Sequence, residues 1–354
     1  MQDSGFDNPF LRPASSSRVE IKEGRNIPSL DIQARTVASD KHTDRNEDSM
    51  FKQPEKRAVG VFDGIGGHAA GDRASRIARD QVGSVLKGLP EGLNLQQAEG
   101  AVRQAITNVN NTVYKQAQAE QSNMGTTASV VYIWEGGSGE RKAIVGNVGD
   151  SRVYLLRNNR LEQITLDDNR VRSAKSNEQQ ARQLQSKLNN VTDPQRQLSD
   201  DEQILFNLRN QISQALGQPS VEPRIHTIDF LSSDKLLVCS DGISDNLTDT
   251  EIQQIMNKSL NSAETVESLI KASQARSRSN HFRAKSDDMT AIVIGKTQSV
   301  SEVAKKEVVP PSDQKTQEAN RLQKGASVRV RRSSGVFESG WVIDKFDSST
   351  PYSR

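Results

Sequence analysis

The sequence predicts an α+β protein in which antiparallel sheet carries helices packed outside it. Short apolar runs bounded by turn residues recur along the chain, as at 58–62, 141–147 and 289–294. Two longer stretches repeat apolar residues at helical spacing, through Ala74, Ile77, Ala78, Val82 and Val85 and through Ala98, Val102, Ile106, Val109 and Val113. These patterns come in blocks, strand beside strand and helix beside helix. Strict alternation, the mark of a doubly wound parallel sheet, is missing.

Taken in order, residues 1–29 mix Pro, Ser, Asn and charge without periodicity and read as a flexible arm. A globular domain is expected over 30–297. It opens with strand patterns at 31–39 and 58–62, followed by helices at 69–86 and 95–119. Strands follow at 126–134, 141–147 and 152–156, with Gly136-Gly137-Ser138-Gly139 turning the chain between the first two. The stretch 171–216 is polar and helix-favouring, broken near 189–194, and its few apolar anchors make it a surface helical insertion. Strand patterns return at 225–230 and 236–239, then helices at 248–256 and 262–275. The first of these helices opens with a capping pattern, Thr248-Asp249-Thr250-Glu251. A last strand is expected at 289–294. Residues 298–325, charged and centred on Pro310-Pro311, read as a linker. Residues 326–354 alternate about a turn at Ser333-Ser334-Gly335 and read as a β-hairpin, part of a small β module.

Composition removes several function classes. With 47 Lys+Arg against 45 Asp+Glu, the net charge of +2 gives no reason to expect nucleic acid or an acidic membrane surface. Arg329, Arg331 and Arg332 form a basic cluster, but alternation puts Arg329 and Arg331 on one solvated strand face without interleaved aromatics. The one cysteine, Cys239, excludes a disulfide framework and lies in an apolar run as a small hydrophobe. A cysteine-dependent phosphatase needs a phosphate-holding arginine six positions on, where this chain has Asp245. No apolar run approaches the ~18 residues of a membrane span, and residues 1–5 lack a secretory signal's form. A cytoplasmic monomer is the expectation, with a non-Sec export route left open. A dinucleotide loop at Gly64-Ile65-Gly66 is rejected because position 69 is alanine.

The chemistry lies in carboxylates that border strands far apart in sequence. Asp63-Gly64 ends the run 58–62, Asp241-Gly242 ends 235–240, and Asp287-Asp288 leads into 291–294. Each alone reads as an ordinary turn. Gathered at one sheet rim, they repel one another unless cations neutralise them, and hard oxygen donors select Mg²⁺ or Mn²⁺. A metal centre is the first inference.

Seven motifs then stand in order: Asn46-Glu47-Asp48, Asp63-Gly64-Ile65-Gly66-Gly67-His68, Gly125-Thr126-Thr127, Gly146 to Arg152, Gln214 to Gly217, Ser240-Asp241-Gly242 and Asp287 to Thr290. In this order they resemble the bacterial form of the PPM-type (type 2C) metal-dependent serine/threonine protein phosphatases. The resemblance covers roughly residues 30–297. It implies an α-β-β-α sandwich, two antiparallel sheets flanked by helices, with metals between the sheet edges. By motif, Asp63 bridges two Mn²⁺ or Mg²⁺ ions, the Gly64 carbonyl ligates the second, and Asp241 and Asp287 hold the first. Glu47 and Asp48 stand near the second ion through water. Asp150, with Asp241, makes a third, weaker site. Asp288 stands where the family more often has asparagine.

The implied reaction is hydrolysis of phosphoserine and phosphothreonine in proteins by a hydroxide bridging two ions, without a covalent enzyme intermediate. His68 is the candidate general acid for the leaving alkoxide; the other reading is a histidine that orders water. Arg152 is expected to fix the metal loop by ion pairing, and Gly125-Thr126-Thr127 to serve packing. One departure concerns the substrate. The family usually places a phosphate-gripping arginine four residues before the motif glutamate, and this chain has Thr43 there, with Arg45 or Lys41 as substitutes. The implied partners are phosphorylated proteins, including a Ser/Thr kinase and its substrates. Thr43 also motivates an alternative, a catalytically weak scaffold that binds phosphoproteins.

Overall fold

A computed structural model describes residues 29–66 and 69–296. The expected linker and C-terminal β module lie outside the described residues, as does the N-terminal arm except Ser29. The first half contains strands β1 (Leu30–Val37), β2 (Ser49–Gln53), β3 (Ala58–Phe62) and β4 (Gly64–Ile65), then helices α1 (Ala69–Lys87) and α2 (Leu95–Glu120). Strands β5 (Gly125–Thr126), β6 (Ala128–Glu135), β7 (Arg141–Val148), β8 (Arg152–Arg157) and β9 (Arg160–Gln163) follow. The insertion supplies α3 (Arg170–Ser173), α4 (Glu178–Asn189), α5 (Pro194–Gln197) and α6 (Asp200–Asn207). The chain then gives β10 (Arg224–Asp229), β11 (Lys235–Cys239), α7 (Asp241–Ser244), α8 (Asp249–Lys258), α9 (Ser262–Ser277) and β12 (Met289–Lys296).

The strands form two five-stranded sheets, ordered β1-β12-β11-β8-β9 and β10-β7-β6-β3-β2, and the pair β4-β5. The pairings are antiparallel, so neighbouring strands need only short turns. Side chains that alternate between two covered faces explain the layers. On β3, Val59 and Val61 face the opposite sheet, while Ala58 and Phe62 face α1 and α2. On β11, Leu236 and Val238 join the inter-sheet core, while Leu237 and Cys239 face α8 and α9. Strands buried on both faces need a helix layer on each side, and the α-β-β-α sandwich is the result.

Helix boundaries follow local chemistry. Asn94 caps α2 in a reciprocal box with Gln97, and Thr248 caps α8 in a box with Glu251, as its sequence predicts. The insertion differs from expectation. It carries its own small core of Val171, Leu184, Leu188, Val191, Leu198 and Phe206, so it is a packed subunit of the fold rather than a set of surface helices. Three short elements escape the sequence reading: β2, the β4-β5 pair and β9. Cys239 is buried and its thiol is pushed up to about 12, first by burial, which keeps it an inert hydrophobe.

The inter-sheet core sets a stability expectation. Leu236→Ala, in the middle strand of its sheet and fully buried, should cost about 2–5 kcal/mol in urea denaturation. Ile204→Ala, 56% exposed on α6, should change stability by no more than about 0.5 kcal/mol.

Candidate metal centre

Strand register gathers the strand-end carboxylates at one end of the sandwich. The C-terminal end of β11 meets both the start of β12 (Cys239 opposite Ala291) and the start of β8 (Cys239 opposite Arg152). Asp241, Asp287 and the β7–β8 turn with Asp150 therefore share one rim. In the other sheet, the end of β3 meets the start of β6, with Val61 opposite Ser129. A hydroxyl pair, Thr127 Oγ1 and Ser151 Oγ at 2.7 Å, ties the two rims together.

Asp63 is held by its backbone. Its N–H donates to Thr127 Oγ1 (2.9 Å), and its carbonyl accepts from Thr127 N–H (2.9 Å) and Thr126 Oγ1 (2.9 Å). Gly125-Thr126-Thr127 thus does more than pack: it fixes the turn that presents Asp63. The next residue must be glycine, because a Cβ on Gly64 would lie 2.5 Å from the Gly71 backbone and 2.6 Å from the Glu47 carbonyl. Asp241 opens α7 directly after β11, with Ser240 as N-cap residue. Behind it, a Cβ on Gly242 would lie 1.9 Å from the Asp288 carbonyl oxygen. Asp288 clasps the 39–47 loop, accepting Ser39 N–H at 2.7 Å and Glu47 N–H at 2.6 Å. Its added charge relative to asparagine is used on two backbone donors.

Burial and mutual repulsion dominate the electrostatics. Burial pushes the Asp63 carboxyl well above the usual carboxylate range, and the charges of Asp241, Asp48, Asp287 and Asp150 push it further. Asp150 is raised by burial and then by Asp241 and Asp167. Burial raises Asp48 to about 8 although the hydroxyls of Ser240 and Thr290, each 2.7 Å from Oδ2, pull it down. Burial raises Asp241 to about 6, against the lowering influence of Lys285. Repulsion between buried carboxylates is relieved either by protonation, which the raised values favour, or by cations placed among them. Buried oxygens Asp48 Oδ1, Asp150 Oδ1 and Asp241 Oδ1 have no hydrogen-bond partner. Hard, anionic and under-satisfied, this donor set fits Mg²⁺ or Mn²⁺.

One cation is part of the chain. Lys285 Nζ pairs with Asp241 Oδ2, with Asp287 Oδ2 at 3.0 Å and with Asp245 Oδ2 at 3.1 Å. Burial alone would lower its pKa, but these three carboxylates raise it well above the ordinary lysine value. Among the described residues, no three His, Cys, Asp or Glu side chains converge tightly enough to clamp an ion in this arrangement. Asp241 and Asp287 instead share the ammonium.

The remaining predicted residues divide. Arg45 turns to Glu47, Nε to Oε1 at 3.2 Å, so this guanidinium stands beside the acidic group rather than alone. Lys41 and Thr43 are exposed. Arg152 is buried and pairs with Asp167 at 2.8 Å, the ion-pairing role expected of it. His68 lies outside the described residues.

Sequence reasoning missed Lys285, Asp245 and the brace behind them. Asp245 stands four residues after Asp241, one helical turn on, and Lys285 stands two before Asp287; these spacings were the available signals. Arg283, 1% exposed, donates from Nε to the Val191 carbonyl at 3.2 Å and from Nη1 to the Asp245 carbonyl at 3.4 Å. Arg209 Nε reaches Asp245 Oδ1 at 3.6 Å. The insertion therefore braces the acidic rim directly.

Comparison with known proteins gives the family and the fold. The family model described as Protein phosphatase 2C matches residues 33–288. The chain is 27% identical over 220 residues to the serine/threonine phosphatase stp of Listeria welshimeri, covering 61% of this chain and 78% of that protein. The crystal structure of the serine/threonine phosphatase Stp1 from Staphylococcus aureus superposes with TM-score 0.60 at 26% identity, covering 78% of this chain and all of that one (100%). The catalytic domain of the serine/threonine protein phosphatase PstP, in complex with two manganese ions, superposes with TM-score 0.56 at 26% identity, covering 76% of this chain and 99% of that one.

The tight approach behind Asp241 gives a test of the rim's construction. Gly242→Ala must force the Asp288 carbonyl away, and should destabilise the protein by about 1–3 kcal/mol or more in urea denaturation.

Proposed function

The chain belongs to the protein phosphatase 2C family and is a metal-dependent serine/threonine phosphatase, and from that premise we propose how its own residues divide the work. The substrates are phosphorylated proteins, the products of a Ser/Thr kinase. Asp63 would be shared between two Mn²⁺ or Mg²⁺ ions, Asp241 and Asp287 would help hold one of them, and the Gly64 carbonyl would serve the other. Glu47 and Asp48 act near the second ion through water, and Asp150 with Asp241 offers a weaker third position. The observation that carries this reading is the convergence of buried carboxylates from four separated segments, whose pKa values rise through mutual charge and whose oxygens include unpartnered ones.

When bound, the divalent ions neutralise the phosphate dianion and activate water as nucleophile, so that no covalent enzyme intermediate is needed. The protein's residues do the positioning. Thr126 and Thr127 fix the Asp63 backbone, so the carboxylate meets the rim in one orientation. Ser240 and Thr290 occupy Asp48 Oδ2 and leave Oδ1 to the site. Asp288 holds the loop that carries Glu47. His68 is the proposed proton donor to the leaving serine or threonine oxygen. Arg45, kept beside Glu47 by its ion pair, is the proposed replacement for the phosphate-gripping arginine.

Mn²⁺-dependent hydrolysis of a phosphothreonine peptide tests the reading. Asp63→Ala and Asp241→Ala should each lower kcat/KM by more than about a hundredfold, the loss expected when metal stabilisation of several kcal/mol is removed. Wild-type turnover no faster than these variants, in both Mn²⁺ and Mg²⁺, would leave the phosphopeptide-binding scaffold as the surviving account. Arg45→Ala should raise KM by roughly tenfold and change kcat less, in line with one lost charge-assisted hydrogen bond. An unchanged KM removes Arg45 from the substrate site.

A further inference from the structure

We propose that Lys285 is a built-in counter-cation that holds the metal-binding carboxylates together in the metal-free protein, and that a divalent ion must displace it to bind. The inference rests on the metal reading of Asp241 and Asp287 given above. The Lys285 ammonium stands among three carboxylates, donating to Asp241 and forming ion pairs with Asp245 and Asp287. Two of these are proposed metal ligands. Any ion they hold competes with Lys285 for the same oxygens, and two cations a few Å apart repel.

Lys285 is no stray surface lysine folded onto an acidic patch. Its side chain is 23% exposed, and its backbone is pinned twice by the fully buried Asn246: Lys285 N–H donates to Asn246 Oδ1 (3.0 Å), and its carbonyl accepts from Asn246 Nδ2 (2.9 Å). Two residues earlier, buried Arg283 locks the segment to carbonyls of the insertion. The stem is fixed at its base, while the four-carbon chain retains the freedom to swing its head away.

Asp245 makes the exchange reversible. It is not among the proposed metal ligands, so it remains a partner for the ammonium after Asp241 and Asp287 are taken over. Lys285 therefore sets the metal concentration at which the site loads, and it keeps the carboxylates gathered below that concentration. Without it, the acidic rim has neither its ion nor its substitute.

The test compares wild type with Lys285→Met, which keeps the stem and removes the charge. Isothermal titration with Mn²⁺ should show at least about tenfold tighter binding by the variant, a change of about 1.4 kcal/mol. Without metal, the variant should melt below wild type and regain the difference on adding Mn²⁺. A second measurement needs no variant: acetylation of Lys285 in wild type, read by mass spectrometry, should be several-fold faster with saturating Mg²⁺ than without. Equal or weaker Mn²⁺ binding by Lys285→Met overturns the proposal and leaves the metal reading intact, as does labelling that Mg²⁺ does not change. Absence of Mn²⁺ binding by both proteins overturns the metal reading and this proposal with it.

Discussion

Like charge held out of water is the constraint around which this protein is organised. Asp48, Asp63, Asp150 and Asp241 each have carboxyls raised by burial and by at least one other rim carboxylate. A fold does not gather such groups cheaply; the surrounding structure must over-determine their positions. Here it does so through backbone clasps. Threonine hydroxyls grip the Asp63 turn, Asp288 ties down the 39–47 loop, and a glycine lets the Asp288 carbonyl pass behind Asp241. The rest of the sandwich serves this rim. Its inter-sheet core of valine, isoleucine and leucine fixes the register that brings strand ends from both sheets to one place.

The insertion between β9 and β10 belongs to the same account. Its private core gives it enough rigidity to act as a brace. Through Arg209 it supplies positive charge to Asp245, and through the Val191 carbonyl it accepts from Arg283, which stands two residues before Lys285 and also donates to the Asp245 carbonyl. Variation in this insertion would therefore reach the acidic rim by packing and hydrogen bonding, without any residue of the insertion touching an ion.

Much of this was legible in the sequence because it is local. The continuous apolar runs of β3 and β11 and the capping box at Thr248 each need only a few neighbouring residues to declare themselves. Asp-Gly at a strand end is equally local, and the order of the motifs supplied the rest. What escaped was short or distant. The two-residue strands β4 and β5 pair with each other across some sixty residues, Gly64 with Thr126, and Thr126 also bridges to Leu216. The sequence Arg160–Gln163 is too polar to announce β9. Lys285 looked like an ordinary charge in a loop, because its partners Asp241 and Asp245 lie some forty residues away. The core of the insertion is spread from Val171 to Phe206, so no single window holds enough apolar residues to reveal it.

The central claim is that the acidic rim is a divalent-cation site assembled from both sheets. Anomalous diffraction from crystals equilibrated with Mn²⁺ tests it most directly. The account predicts anomalous peaks coordinated by carboxylate oxygens of Asp63, Asp241 and Asp287, with the Lys285 ammonium moved off Asp241 and Asp287. Crystals saturated with Mn²⁺ that give no anomalous density at these carboxylates would contradict it.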